Sequence, residues 1–212
     1  MAKRRKVGNL LALALLAGLR EKPIHPYEMA TLLRERGKEF SIKIQWGSLY
    51  TVVQNLEKHG FVEAVDTSRQ GKRPERTVYA LTTAGRAELD GWMRELLGEP
   101  RQEFTAYEAA LSNAGVLSPE TVIDLLTQRV AALDVVIRDG REQLAKAMET
   151  LPRLFLIEAE YKLAMTEAEA NWTRSLLTEL VDGTLPAMDL WRQYHSNNLF
   201  VAEGGDQETE ED

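Results

Sequence analysis

Between residues 48 and 58 the side chains of Ser48, Thr51, Gln54, Asn55 and Lys58, with Tyr50 at the flank, share one side of a helical wheel. Those types suit DNA: Gln and Asn can bond adenine bidentately, hydroxyls serve base or phosphate, and Tyr and Lys reach phosphate oxygens. The opposite side carries Leu49, Val52, Val53 and Leu56 at i, i+3, i+4 and i+7, the spacing of one buried stripe. Such a helix fits a major groove, and a merely solvated face is the other reading. A second set follows it. Arg69, Lys72, Arg73 and Arg76 crowd a stretch whose nearby acids are Asp66 and Glu75. Cations so placed suit phosphates, each neutralised phosphate adding ~0.9 to the salt slope of binding. Lys3 to Lys6 offer a further basic arm of the same kind.

Other chemistries find no constellation. The chain has no cysteine, which excludes disulfides, zinc knuckles, iron–sulfur clusters and thiol nucleophiles. His25, His59 and His195 sit in separate segments and read as turn or cap residues rather than metal ligands. Gly71-Lys72 lacks the earlier glycine and the following Ser or Thr of a phosphate-binding loop, and no G-x-G-x-x-G occurs. Glu158, Glu160, Glu167 and Glu169 are spaced like di-metal carboxylates, but no Glu-x-x-His accompanies them, so a solvated helix face is expected. Nothing pairs a nucleophile with a base. The expectation is a non-enzyme without metal or cofactor.

The surrounding elements favour DNA. The apolar run Leu10 to Leu19 predicts a buried first helix. With Lys3 to Lys6 before it, the run copies a secretion signal, but it ends in Arg20-Glu21-Lys22 without a cleavage site, and ten residues span only ~15 Å. The expectation is a cytoplasmic protein without a membrane span. Tyr27 to Arg36 then places Met29, Ala30, Leu32 and Leu33 on a second helix ending at Gly37, and the third runs from Trp46 to Gly60. Phe61 to Val65 and Thr77 to Leu81 are β-branched and aromatic, so the polar stretch Asp66 to Arg76 between them predicts a hairpin with a long basic tip. Thr82 or Thr83 caps a fourth helix that ends at Gly98 and Pro100. Three helices, a basic hairpin and a further helix make the winged helix-turn-helix arrangement.

Beyond Pro100 the character changes. Phe104 to Leu111 predicts a short linking helix, and Ser118-Pro119 starts a long one with Val122, Leu126, Leu133, Ile137, Leu144, Met148 and Leu151 as its stripe. Pro152 breaks it, and Ile157, Tyr161, Met165, Ala168, Trp172, Leu176 and Leu180 form the next stripe, with a last short helix from Pro186 through Tyr194. Two such helices in an antiparallel hairpin expose a broad apolar face, which a second chain would cover. Phe104, Tyr107, Phe155, Tyr161, Met165 and Trp172 are the candidates for that interface or for a pocket taking a small aromatic effector. The net charge of −7 hides a division: residues 1 to 86 hold 16 of the 26 Lys and Arg against 8 of the 33 Asp and Glu. A basic part can face phosphates while an acidic remainder discourages non-specific coating of DNA.

Five motifs follow in order: His25-Pro26-Tyr27-Glu28-Met29, Gly47-Ser48-Leu49-Tyr50, Leu56-Glu57-Lys58-His59-Gly60-Phe61-Val62, Gly71-Lys72-Arg73-Pro74 and Tyr79-Ala80-Leu81-Thr82-Thr83-Ala84-Gly85. They resemble the PadR family of transcriptional regulators, with its tyrosine-bearing second helix, Gly-Ser/Thr-Leu-Tyr recognition start and Gly-Arg-Pro wing. The resemblance covers about residues 8 to 97, and the C-terminal part shares only architecture. Gln45-Trp46 stands where the family often has Ser-Pro. The resemblance implies a homodimeric repressor on a palindromic operator, released in many members when a small molecule enters near the dimer interface.

The expected fold is mainly α (α+β). A winged helix-turn-helix DNA-binding domain over residues 1–100 precedes an α-helical dimerisation domain over 101–196 and an acidic tail over 197–212. The competing function is a protein–protein adaptor that uses the winged helix without DNA.

Overall fold

Short polar side chains mark where the N-terminal helices start. Asn9 Oδ1 accepts the Leu11 N–H at 2.8 Å ahead of α1 (Leu10–Leu19), and His25 Nδ1 accepts the Tyr27 N–H at 3.1 Å ahead of α2 (Pro26–Glu35). Helix α3 (Leu49–Lys58) follows a 3-10 turn, Trp46–Ser48, so it begins later than the periodicity predicts. It ends as glycine allows: Gly60, at φ +71°, donates to the Glu57 carbonyl at 2.8 Å while Phe61 donates to Leu56 at 2.9 Å, the Schellman closure. This computed structural model describes residues 5–38, 41, 42, 44–68 and 76–196, which divide into two units, Met1–Gln102 and Glu103–Asp212.

Strands β1 (Val62–Ser68) and β2 (Arg76–Leu81) pair antiparallel. The pairing runs further than predicted. Asp66, Thr67 and Ser68, expected in the tip, pair with Val78, Thr77 and Arg76, because a bulge between Ala64 and Asp66 shifts the register and leaves Val65 over. The backbone of Tyr79 exchanges bonds of 3.0 and 3.2 Å with Ile24, which ties the hairpin to the α1–α2 turn.

Helix α4 (Thr83–Gly98) closes the unit. Thr82 Oγ1 donates to the Gly60 carbonyl at 2.7 Å and accepts the Gly85 N–H at 3.0 Å. A Cβ on Gly85 would lie 2.0 Å from the Phe61 carbonyl oxygen, so glycine is required for this close approach. Leu11, Leu15 and Leu16 of α1, Met29, Leu33, Leu49, Val53, Leu56, Leu89 and Trp92 bury one core. Each large side chain so buried contributes about 2 kcal/mol.

The expected basic arm is corrected at Arg5. Its guanidinium bonds Glu88 at 2.5 Å and also Glu95, and lies 5.3 Å from the Trp92 ring centroid. Two carboxylates and an indole outcompete water for it, so Arg5 fastens the N-terminal segment to α4 and is unavailable to phosphate. Lys3 and Arg4 lie outside the described residues.

In the second unit Thr105 caps α5 (Ala106–Leu111), its hydroxyl accepting the Glu108 N–H at 3.1 Å, so Phe104 falls before the helix rather than in it. Helices α6 (Pro119–Met148) and α7 (Ile157–Val181) pack antiparallel, and α8 (Met188–Ser196) returns to the start of α6. There Trp191 Nε1 donates to the Leu117 carbonyl at 2.9 Å and a His195 ring nitrogen sits 2.8 Å from that of Gly115. Val122, Leu126, Leu180 and Met188 form the core. Ala170 and Thr173 are buried on α7, whereas Ile157, Tyr161, Met165 and Trp172 of the predicted stripe are at least half exposed. Of the described residues, no helix is long and apolar enough to cross a membrane.

Candidate nucleic-acid interface

Helix α3 meets the core through Leu49, Val52, Val53 and Leu56, all buried, which turns Tyr50, Thr51, Gln54, Asn55 and Lys58 outward, all exposed. Among the described residues none of those five side chains has a hydrogen-bond or ion-pair partner, whereas other polar groups of this unit do. Arg36 holds Glu21 through two bonds of 2.6 and 2.7 Å, which keeps that carboxyl below its usual range, and Arg20 holds Asp90 at 2.6 Å. Ser48 differs from the other candidates: its hydroxyl donates to the Gln45 carbonyl at 2.8 Å, and it sits at the N-cap without accepting a helix amide.

Glu57, the acid on this helix, faces β2. The Tyr79 hydroxyl donates to its Oε2 at 3.4 Å, and burial, reinforced by that carboxylate, holds the phenol above its ordinary pKa and so protonated. At the other end of α3, the Arg34 guanidinium from α2 stacks 4.0 Å from the Trp46 ring centroid. Sequence reading assigned no role to either residue. A lone Arg eight or more residues from a Trp carries no signal until a turn folds them together.

Arg69, Lys72 and Arg73 lie outside the described residues, as does the side chain of Arg76.

The six C-terminal candidates are not brought together within one chain. Tyr107 meets Trp172 edge-on at 6.5 Å, with its hydroxyl 3.0 Å from Thr173 Oγ1 and the Arg129 guanidinium 3.5 Å over its ring. Phe155 precedes α7 and Tyr161 and Met165 lie along it, so Phe155 and Trp172 are separated by most of the helix, about 20 Å. Phe104 is 82% exposed. The glutamates expected on a solvated face are instead taken up by arginines: Glu169 by Arg129 at 2.5 Å, Glu167 by Arg141 at 2.7 Å and Glu160 by Arg153 at 2.9 Å. Glu158 also has a partner. A polar groove of about 260 Å³ lies beside them, over Ile137 and between Arg141, Glu167, Asp134 and Arg174. No group of metal-ligating side chains occurs among the described residues.

Comparison with solved structures places the architecture. Bacillus subtilis PadR in complex with operator DNA matches with a TM-score of 0.64 at 21% identity, over 81% of this chain and 99% of that one. The same protein in complex with p-coumaric acid gives 0.65 at 19% identity, again over 81% and 99%. The Vibrio cholerae virulence activator AphA gives 0.59 at 20%, over 81% and 98%. At such identities the likeness is one of fold. No curated protein matches the chain. The stretch that carries α1 to α4 is more specific: residues 15–91 match the family model described as Transcriptional regulator PadR-like family. Over that stretch, about a third of the chain, it is similar to the PadR-like family of transcriptional regulators.

Proposed function

We propose that the chain is a sequence-specific DNA-binding repressor that acts as a homodimer on a palindromic operator. The observation that carries this reading is the outward face of α3: five DNA-compatible side chains, exposed and unpaired among the described residues, behind a fully buried apolar stripe. In the proposed complex Thr51, Gln54 and Asn55 meet base edges, while Ser48, Tyr50 and Lys58 border the groove. Arg69, Lys72, Arg73 and Arg76 grip the flanking backbone. The operator complex of Bacillus subtilis PadR supports the assignment at the level of a shared fold.

Residues 101–196 supply the dimer contact in this reading. Tyr161, Met165 and Trp172 stand uncovered along α7, and a second copy would shield them. Phe104, Tyr107 and Phe155 complete the interface, and a small aromatic effector binding beside it would release the DNA. The p-coumaric acid complex of the Bacillus protein supports an effector of that class.

Selection from a pool of random duplexes tests the core of the proposal. The expected outcome is an enriched palindrome with half-sites about one helical turn, or a multiple, apart, bound at ~10⁻⁸ to 10⁻¹¹ M in physiological salt. A chain that enriches nothing even in dilute buffer overturns it. A promoter reporter bearing the enriched duplex then fixes the sign: expression falls if the chain represses, and a rise overturns repression while leaving DNA binding intact.

A further inference from the structure

Trp46 opens the 3-10 turn that leads into α3 and packs, partly buried, against the N-terminal core. Its carbonyl accepts the Leu49 N–H, and the Gln45 carbonyl before it accepts both the Ser48 N–H at 2.9 Å and the Ser48 hydroxyl at 2.8 Å. Those bonds fix the indole to the first turn of the helix. Over the indole lies the Arg34 guanidinium, 4.0 Å from the ring centroid, supplied by the last turn of α2. The stack is a side-chain bridge from α2 to the start of α3. Arg34 has no ion pair among the described residues, whereas Arg36, two positions on, is held by Glu21. Its partner is therefore the ring, and a planar cation on an indole face is the pairing at which Arg outperforms Lys.

We infer that Arg34 is a positioning residue for DNA recognition, clamping Trp46 so that the first turn of α3 presents Tyr50 and Thr51 at a fixed depth. The N-terminal residues of a recognition helix are the ones that reach base edges, and a hydrogen bond stretched beyond about 3.5 Å is lost. A proline at this point would set the backbone through its own ring. Gln45-Trp46 leaves that task to two hydrogen bonds and the stack. The inference rests on the proposed DNA binding and adds a residue that touches neither base nor phosphate.

The test compares the duplex enriched by the wild-type chain with a scrambled one, across a salt series, for Arg34→Ala, Trp46→Leu, Trp46→Phe and the double variant Arg34→Ala/Trp46→Leu. Arg34→Ala and Trp46→Leu should each lower the preference for the enriched duplex about fivefold, the worth of one cation–π contact. Trp46→Phe, which keeps a ring, should retain most of it. The double variant should lose no more than either single one, and the salt slope should stay put. A slope reduced by ~0.9 per site in Arg34→Ala but not in Trp46→Leu would make Arg34 a phosphate contact and overturn the inference. Full preference with a lower melting temperature would reduce the stack to packing and overturn it equally. Failure of the wild-type chain to enrich any duplex is a separate result, seen before any variant is made, and removes the DNA-binding reading together with this one.

Discussion

Helices α3 and α7 each carry an apolar stripe in sequence, yet folding leaves opposite kinds of face uncovered on them. The apolar stripe of α3 goes inward and its polar side chains stand free among the described residues. On α7 the small residues Ala170 and Thr173 go inward with Leu180, while Tyr161, Met165 and Trp172 stay outside. The polar residues of α7 are the ones taken up: Glu160, Glu167 and Glu169 by arginines, Arg174 by Asp134. Water satisfies an uncovered polar face at no cost, so that face gains only against a ligand that hydrogen-bonds. An uncovered apolar face costs about 25 cal/mol per Å² until another apolar surface shields it. The first unit thus completes its own core and offers its unpaired groups outward. The second holds back apolar surface that its own helices do not cover.

A charge on the uncovered side of α7 is the strongest way to break that contrast. Met165→Glu is expected to weaken self-association by about 4 kcal/mol, roughly a thousandfold, because the carboxylate would be buried without a partner. Sedimentation at micromolar concentration should then show monomer, with the melting of the first unit unchanged. A variant that stays dimeric removes Met165 from the interface. Gly85→Ala attacks the other side of the contrast. The new Cβ would overlap the Phe61 carbonyl, so α4 must move off the core, at about 3 kcal/mol and roughly 10 to 20 °C in melting temperature. Self-association should persist, and an unchanged melting temperature would show that the first unit does not depend on this contact.

The first unit was largely legible because its signals are local. Leu49, Val52, Val53 and Leu56 repeat within one helix, Gly60 ends it, and Thr82 caps the next, so each sequence position names its own structural role. What escaped was set by contacts far along the chain. Arg5 looks like part of a basic arm until Glu88 and Glu95 arrive from 83 and 90 residues away. The bulge that carries β1 on through Asp66 leaves no mark in residue type. For α7 the periodicity identified a helix and the large side chains that stay uncovered along it, but not the buried small ones, because the large residues make the louder pattern. Helix-to-helix approach here selects the small side chains of Ala170 and Thr173 instead, with Leu163 resting against Gly140.

Asn55→Ala probes α3 without touching any fold contact. It should relax preference at one base-pair position in each half-site by about 2 kcal/mol, leaving melting, self-association and scrambled-duplex affinity as they were. An equal loss on all sequences would move Asn55 from the bases to the backbone.

The smallest effect separates the two kinds of DNA contact within the first unit. Arg73 stands in the basic stretch proposed to form the wing, and a wing that grips phosphates would read charge density rather than sequence. Arg73→Ala should therefore weaken enriched and scrambled duplexes alike and flatten the salt dependence by ~0.9 for each phosphate released. The two variants form a pair: Asn55→Ala should change which duplex is preferred at constant slope, and Arg73→Ala should change the slope at constant preference. Titrations of both against the same two duplexes at several salt concentrations make the comparison internal. An unchanged slope for Arg73→Ala would take that arginine out of the mechanism and place more of the phosphate contact on Lys58 and Tyr50, which flank the α3 face.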